Sequence, residues 1–126
     1  MERELPNRRH DGEAFEERAR IYLQEKGYVF ITSNFRWGKA GEIDLVMRDG
    51  DVYVFVEVKM RRSHEYGTPE DAITESKRKT LRRIADGYVY VNNIVEIEGR
   101  FDVVAFDYAD GRDGEPEIRH HVDAFR

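Results

Sequence analysis

The sequence predicts an α/β sandwich, a mixed central sheet flanked by helices. Three observations carry that expectation. Helical and strand-like patterns alternate in the order αβββαβ, which builds a sheet with helices packed on it. The run Val52 to Val58 is apolar on both faces, as a central strand covered from both sides must be. Asp49-Gly50, a strong two-residue turn signal, separates two runs rich in β-branched and aromatic residues and so predicts a hairpin.

The elements follow in order. Residues 1–10 are polar, carry Pro6 and show no period, so they are expected to be poorly ordered. Asp11 or Gly12 can cap a helix starting near Glu13, whose face is marked by Ala14, Phe15, Ala19, Tyr22 and Leu23. Gly27 ends it as a C′ residue. Tyr28 to Asn34 reads as a strand and Phe35 to Ala40 as a loop. After the hairpin, Thr68-Pro69-Glu70-Asp71 has the signature of a short turn of helix. Thr74 caps a main helix over Glu75 to Val91, with the apolar stripe Leu81, Ile84, Ala85, Tyr88 and Val91. The opposite face carries Lys77, Arg78, Lys79, Arg82 and Arg83. Phe101 to Tyr108 is a further strand, Ala109 to Pro116 a turn-rich loop, and Glu117 to Val122 a last edge strand.

At 126 residues the chain is expected to be one domain with its own core. The absence of cysteine excludes thiolate metal sites, disulfides and a cysteine nucleophile. There is no apolar leader region and no run long enough to span a membrane, so a soluble, cytoplasmic protein is expected. A net charge of -5 argues against a general nucleic-acid coating protein. The basic residues are nevertheless clustered, at Arg61-Arg62, Lys77-Arg78-Lys79 and Arg82-Arg83.

The chemistry is concentrated in GEIDLVMRDGDVYVFVEVK, Gly41 to Lys59. With Asp49-Gly50 as the loop, Arg48 faces Asp51, Asp44 faces Phe55 and Glu42 faces Glu57. One face then carries Ile43, Leu45 and Met47 against Val52, Val54, Val56 and Val58. The other carries Glu42, Asp44 and Val46 against Tyr53, Phe55, Glu57 and Lys59. Three carboxylates and an ammonium converge at one end of the hairpin. Like charges facing each other destabilise a sheet, and a hard divalent cation bound by carboxylate oxygens would neutralise them. The alternative is a Glu57–Lys59 pair on an ordinary solvated face.

Asp44 followed by Glu57-Val58-Lys59, in αβββαβ order, resembles the PD-(D/E)XK nuclease superfamily and its restriction-endonuclease-like core. Nearly the whole chain is similar to one branch, the YraN family of predicted bacterial endonucleases, itself similar in fold to archaeal Holliday-junction resolvases. The matching stretches are Gly12-Glu13 with Ala19 and Leu23, Gly27-Tyr28, Asn34-Phe35-Arg36, GEIDLV and FVEVKMRR. They continue with Gly67-Thr68-Pro69, Ala72, Lys77 and RFDVVAF, covering about residues 12–108. Ile43 stands where the superfamily name has proline. The resemblance implies Asp44 and Glu57 as metal ligands, the Val58 carbonyl as a third, Lys59 as the motif lysine and Glu13 as the helical acid of the catalytic set.

The activity so implied is metal-dependent hydrolysis of DNA phosphodiesters. Mg²⁺, with Mn²⁺ as substitute, would activate water and relieve charge on the phosphoryl oxygens. Lys59 would orient the water or stabilise charge on the phosphate. Arg61, Arg62, Lys77, Lys79 and Arg82 would grip backbone phosphates without reading sequence. The expected partner is DNA, with branched DNA and a homodimer as further expectations. The competing class is a non-catalytic DNA- or protein-binding module on a nuclease scaffold. His64, Arg100 and Trp37 are secondary candidates; a solvent-exposed loop histidine, a strand-edge salt bridge and a loop anchor are the plainer expectations for them.

Overall fold

The computed structural model describes residues 8–126. Helix α1 spans Arg8–Glu25, β1 Val29–Trp37, β2 Gly41–Asp49, β3 Val52–Arg61, α2 Glu75–Val91, β4 Glu98–Arg112 and β5 Glu115–Phe125. Single 3-10 turns occupy Gly38–Ala40 and Glu70–Ala72. The strands form one sheet in the order β1-β2-β3-β4-β5; β3 and β4 run parallel and the other neighbours antiparallel. The protein is therefore mixed α/β with β3 at the centre, and α2 is the crossover that a parallel pair requires.

Alternation along β3 feeds two cores. Val54 and Val56 join Phe15, Ala19 and Leu23 of α1 with Leu45, Met47, Val104 and Phe106. Phe55 joins Leu81, Ile84, Ala85 and Tyr88 of α2 with Val46, Val103 and Phe125. This is the physical content of a strand apolar on both faces. No helix among the described residues is long and apolar enough to cross a membrane.

Both helix signals at α2 and the end of α1 act as expected. Thr74 Oγ1 accepts the Lys77 N–H at 3.2 Å. Gly27, at φ 97, turns the chain so that Tyr28 N–H reaches the Leu23 carbonyl and Gly27 N–H the Gln24 carbonyl. Thr68 and Asp71 cap each other, the Thr68 N–H on Asp71 Oδ2 at 2.8 Å and the Asp71 N–H on Thr68 Oγ1 at 3.3 Å.

Several boundaries differ. Helix α1 begins at Arg8, so Asp11 and Gly12 lie inside it. A capping residue type does not stop a helix whose preceding arginines are good helix formers. Of residues 1–10, expected to be poorly ordered, 1–7 lie outside the described residues and 8–10 form the start of α1. Strand β1 continues through Phe35 and Trp37, because both rings find partners on α2: Phe35 on Tyr88 at 5.1 Å and Trp37 on Tyr90 at 6.3 Å. The expected loop at Ala109 to Pro116 is a tight hairpin. Arg112 pairs with Glu115 across Asp113-Gly114, both at positive φ. Val91 is 52% exposed, and the last buried positions of α2 are Gly87 and Tyr88. Gly87 is buried because the Trp37 ring lies on it; a Cβ there would stand 2.3 Å from Trp37 Cδ2.

The central hairpin is shifted by two residues. Asp49 pairs with Val52 and Leu45 with Val56, leaving Gly50-Asp51 as the loop. Gly50 has φ 59 while Asp51 is not left-handed, so one glycine in first position suffices, as a type II′ turn allows. Asp49 stays in the strand, where Arg100 Nη2 donates to it at 3.1 Å. A shift of two keeps the faces of the residues that pair, Leu45 to Asp49 against Val52 to Val56. It does change the neighbours: Phe55, expected opposite Asp44, pairs with Val46, and the pairing stops at Leu45 and Val56, so that neither Asp44 nor Glu42, expected opposite Glu57, has a partner on β3. Ile43 departs from the expected face as well and packs in the α2 core with Val46.

Two buried aspartates tie the sheet to its surroundings. Asp102 accepts from Tyr28 Oη at 3.1 Å, Arg100 Nε at 3.0 Å, His120 Nε2 at 2.7 Å and the Asp123 N–H at 3.0 Å. Lys26 Nζ lies 3.0 Å from the other ring nitrogen of His120, Nδ1. An ammonium can only donate, so in this contact Nδ1 is the acceptor and Nε2 the donor to Asp102. Asp107 accepts from His64 Nε2 at 2.8 Å, Arg119 Nη2 at 2.7 Å, and the N–H groups of Ala109 and Asp110 at 3.0 and 3.3 Å.

Candidate functional site

The pairing of β2 with β3 ends at Leu45 and Val56. Beyond it the Val58 N–H donates to Asp44 Oδ2 at 2.8 Å, a side chain taking the bond a ladder carbonyl would take. From there β3 continues to Arg61 on β4 alone, while β2 stays with β1 through Glu42 and Gly41. The sheet splits. A cleft of about 560 Å³ opens at the split, lined by Gly12, Phe15 and Glu16 of α1, by Asp44, and by Val58, Lys59, Met60 and Arg61. In a strand the N–H and C=O of one residue point the same way, so the Val58 carbonyl is directed to the Asp44 side.

Glu57 is 3% exposed. Its Oε2 lies 3.9 Å from both Lys59 Nζ and Lys77 Nζ, whereas its buried Oε1 has no hydrogen-bond partner among the described residues. Burial, and then repulsion from Asp44, push its carboxyl far above the ordinary range against the pull of the two lysines. Burial also raises Asp44, opposed by the Val58 N–H and by Lys59 and Lys77. The acid that α1 brings to this place is Glu16. It accepts from Asn34 Nδ2 at 3.0 Å. Burial pushes it up to about 7 in spite of that bond, with Asp44 and Glu42 adding repulsion. Glu13, one turn earlier on α1, is exposed and does not line the cleft.

Asp44, Glu57, Lys59 and the Val58 backbone are thus brought together, joined by Glu16, Asn34 and Lys77. Among the expected phosphate-gripping residues, Arg61 lines the cleft and its buried Nε has no partner. Arg62 lies over the Tyr108 ring. The basic residues of α2 do not form one face. Lys77 turns to Glu57. Arg78 and Arg82 lie over the Phe125 ring, and Arg82 Nε donates to the Arg126 carbonyl at 2.7 Å. Lys79 and Arg83 are exposed. The reason is arithmetic: at about 100° per residue, five positions within seven residues encircle a helix.

The donor set fits a hard cation. A buried carboxylate oxygen without a partner among the described residues, a second raised carboxyl and a strand carbonyl are hard oxygen donors of the kind that hold such an ion. A different group, His64, Asp107 and Asp110, brings its ligand atoms within 4.8 Å of one another. There, however, both Asp107 oxygens are already engaged, one by Arg119 and His64 and the other by two backbone N–H groups. Arg119 is that cluster's cation.

An α/β chain with a split sheet and carboxylates gathered at the split is the class of protein so defined. The family model described as uncharacterised protein family UPF0102 matches residues 15–106, and the chain belongs to that family. It is 44% identical over 107 residues to a UPF0102 protein of Shewanella sediminis, covering 85% of this chain and 90% of that one. With a UPF0102 protein of Symbiobacterium thermophilum it shares 43% identity over 117 residues, covering 93% and 97%. With one of Carboxydothermus hydrogenoformans it shares 36% over 106 residues, covering 84% and 89%.

Proposed function

We propose that this protein hydrolyses DNA phosphodiester bonds with a divalent cation, Mg²⁺ or Mn²⁺, held by Asp44, Glu57 and the Val58 carbonyl. The observation that carries this reading is Glu57 Oε1, buried and without a partner next to Asp44. When bound, the cation supplies Lewis-acid charge relief and an acidified water. The chain's own residues do the rest. The Val58 N–H fixes the Asp44 carboxylate, leaving its second oxygen for ligation. Lys59, 3.9 Å from Glu57 Oε2, would present its ammonium to charge developing on the phosphate. Glu16, held by Asn34 and pushed up to about 7 by burial, would take the proton from water at the cleft. Phe15 and Met60 form an apolar part of the cleft wall, which sharpens those charges.

A binding module without catalysis is the second reading. What favours it is that both Lys59 and Lys77 already stand 3.9 Å from Glu57 Oε2, partly neutralising the cluster. A cleavage assay separates the two, using linear, single-stranded, flapped and four-way DNA with Mg²⁺, Mn²⁺ or EDTA. The nuclease reading expects cutting only with metal, and its loss in Lys59→Ala with metal binding retained. Equal cutting by wild type and Lys59→Ala would mark a contaminant and remove the assignment.

A further inference from the structure

Most cations near the cleft are used by the fold. Arg36 pairs with Glu42, Lys77 with Glu57 and Arg82 with Glu75. Three are not. Lys39, in the turn between β1 and β2, and Arg83, on α2, line a shallow hollow of about 460 Å³ with Trp37, Gly38 and Ala40. Lys79 stands one turn before Arg83 on the same side of the helix and is exposed. None of the three side chains makes a hydrogen bond or ion pair with another described residue. In a chain of net charge -5 these are exposed cations that no described carboxylate pairs with.

Its position is specific. The Gly38–Ala40 turn runs directly into Gly41 and so to Asp44, at the end of the sheet where the cleft opens. Helix α2 lies against that point; Ile84 Cδ1 would be 3.8 Å from a Cβ at Gly41. Lys79 and Arg83 are separated by about 6 Å along the helix axis, comparable with neighbouring phosphates on one strand. Trp37 forms the hollow's aromatic wall, but its ring lies on the Gly87 backbone and meets Tyr90 edge-on. A ring so engaged is a poor stacking platform, which single-strand binding would call for.

We propose that Lys39, Lys79 and Arg83 form a phosphate-binding track for a duplex DNA arm that leaves the acid cleft. The proposal rests on the nuclease reading of that cleft. The contacts go to the backbone, so they position the duplex without selecting its sequence.

The chain has a single tryptophan, Trp37, and it reports on the hollow. Duplex is titrated into wild type in EDTA, where nothing is cut, with Trp37 fluorescence and the anisotropy of a labelled duplex as readouts over a range of KCl concentrations. The track predicts a fluorescence change on binding. It also predicts that the slope of log K against log salt shrinks by about 2.7 in the Lys39→Gln, Lys79→Gln, Arg83→Gln variant, at about 0.9 per contact. A control variant, Arg48→Gln with Arg112→Gln, changes exposed cations at other turns and should keep the wild-type slope. An unchanged slope in the triple variant, an equal loss in the control, or tighter binding to single-stranded than to duplex DNA overturns the track. Metal-dependent cutting with an unchanged slope would remove the track alone. A lost slope in a protein that cuts no DNA would remove the nuclease reading and leave the track.

Discussion

Asp44 serves both as a structural acceptor and as the candidate ligand, and the two roles are separable by experiment. It takes the Val58 N–H where the ladder ends, at 2.8 Å. It also stands near Glu57 and Glu16, and all three carboxyls are raised. Asp44→Asn keeps an oxygen for the Val58 N–H and removes a like charge. Its melting temperature in EDTA should therefore equal or exceed that of wild type, by up to ~1 kcal/mol of stability as a like-charge cross-strand contribution. Mg²⁺ should raise the melting temperature of wild type by mass action and raise that of the variant much less. If Asp44 were instead the needed partner of Lys59 or Lys77, the variant would be destabilised in EDTA and wild type indifferent to Mg²⁺. Four melting curves decide between them.

At the scale of elements, the junction of β1 with α2 is set by one close approach. The Trp37 ring lies on Gly87, and a Cβ added there would also stand 2.7 Å from Cε2 and Cε3. Gly87→Ala removes a residue that is poor in helices, which alone would gain about 1 kcal/mol. The clash is with a rigid ring, and overpacking of this kind costs about 1–3 kcal/mol. The expected result is net destabilisation in denaturant unfolding, with the Trp37 emission shifted as the ring moves outward. A more stable variant with unchanged emission would mean that the ring is held elsewhere. Helix α1 offers a second lesson at this scale. At about 100° per residue, Glu16 stands about 100° from Phe15 and Glu13 about 160°. That angle, readable from the apolar stripe, was the available signal that Glu16 borders the sheet and Glu13 does not.

Across the whole molecule, Arg119 joins parts distant in sequence. It donates to Glu70 through Nε at 2.7 Å and Nη2 at 2.9 Å, and to Asp107 at 2.7 Å, clamping the turn after β3 onto β4 and β5. Hydrogen bonds from Arg119, outweighing partial burial, and a further one from His121 hold Glu70 at about 2. Burial would raise Asp107, yet Arg119 and His64 bring it to about 2 as well. Acids whose folded values are depressed contribute stability that is complete above their unfolded values, 4.5 and 3.8, and lost as pH falls toward about 2. Acid unfolding followed by circular dichroism should thus have its midpoint in that window. Arg119→Gln should move the midpoint to higher pH and lower stability at neutral pH, because buried Asp107 loses a cation. An unmoved midpoint would show that His64 and the backbone N–H groups suffice.

By itself the sequence determined what depends on local chemistry and on side-chain parity. Thr74 starts α2 and Gly27 ends α1 because a capping oxygen and a left-handed glycine act within one turn of chain. The two-sided apolar run of β3 required helices on both faces, and the order of elements required a mixed sheet. Asp44, Glu57, Val58 and Lys59 could be nominated together because either register of the turn leaves them at the open end of one hairpin. Only the tertiary structure decided the rest. Asp49 stays in β2 because Arg100, about fifty residues away, holds it there. Phe35 and Trp37 are strand and not loop because α2 supplies Tyr88, Tyr90 and the bare backbone of Gly87. Glu16 lines the cleft and Lys77 lies beside Glu57 because α1 and α2 pack on opposite faces of the sheet. Those positions follow from helix orientation and strand divergence, which arise from packing between distant segments and leave no mark within any one of them.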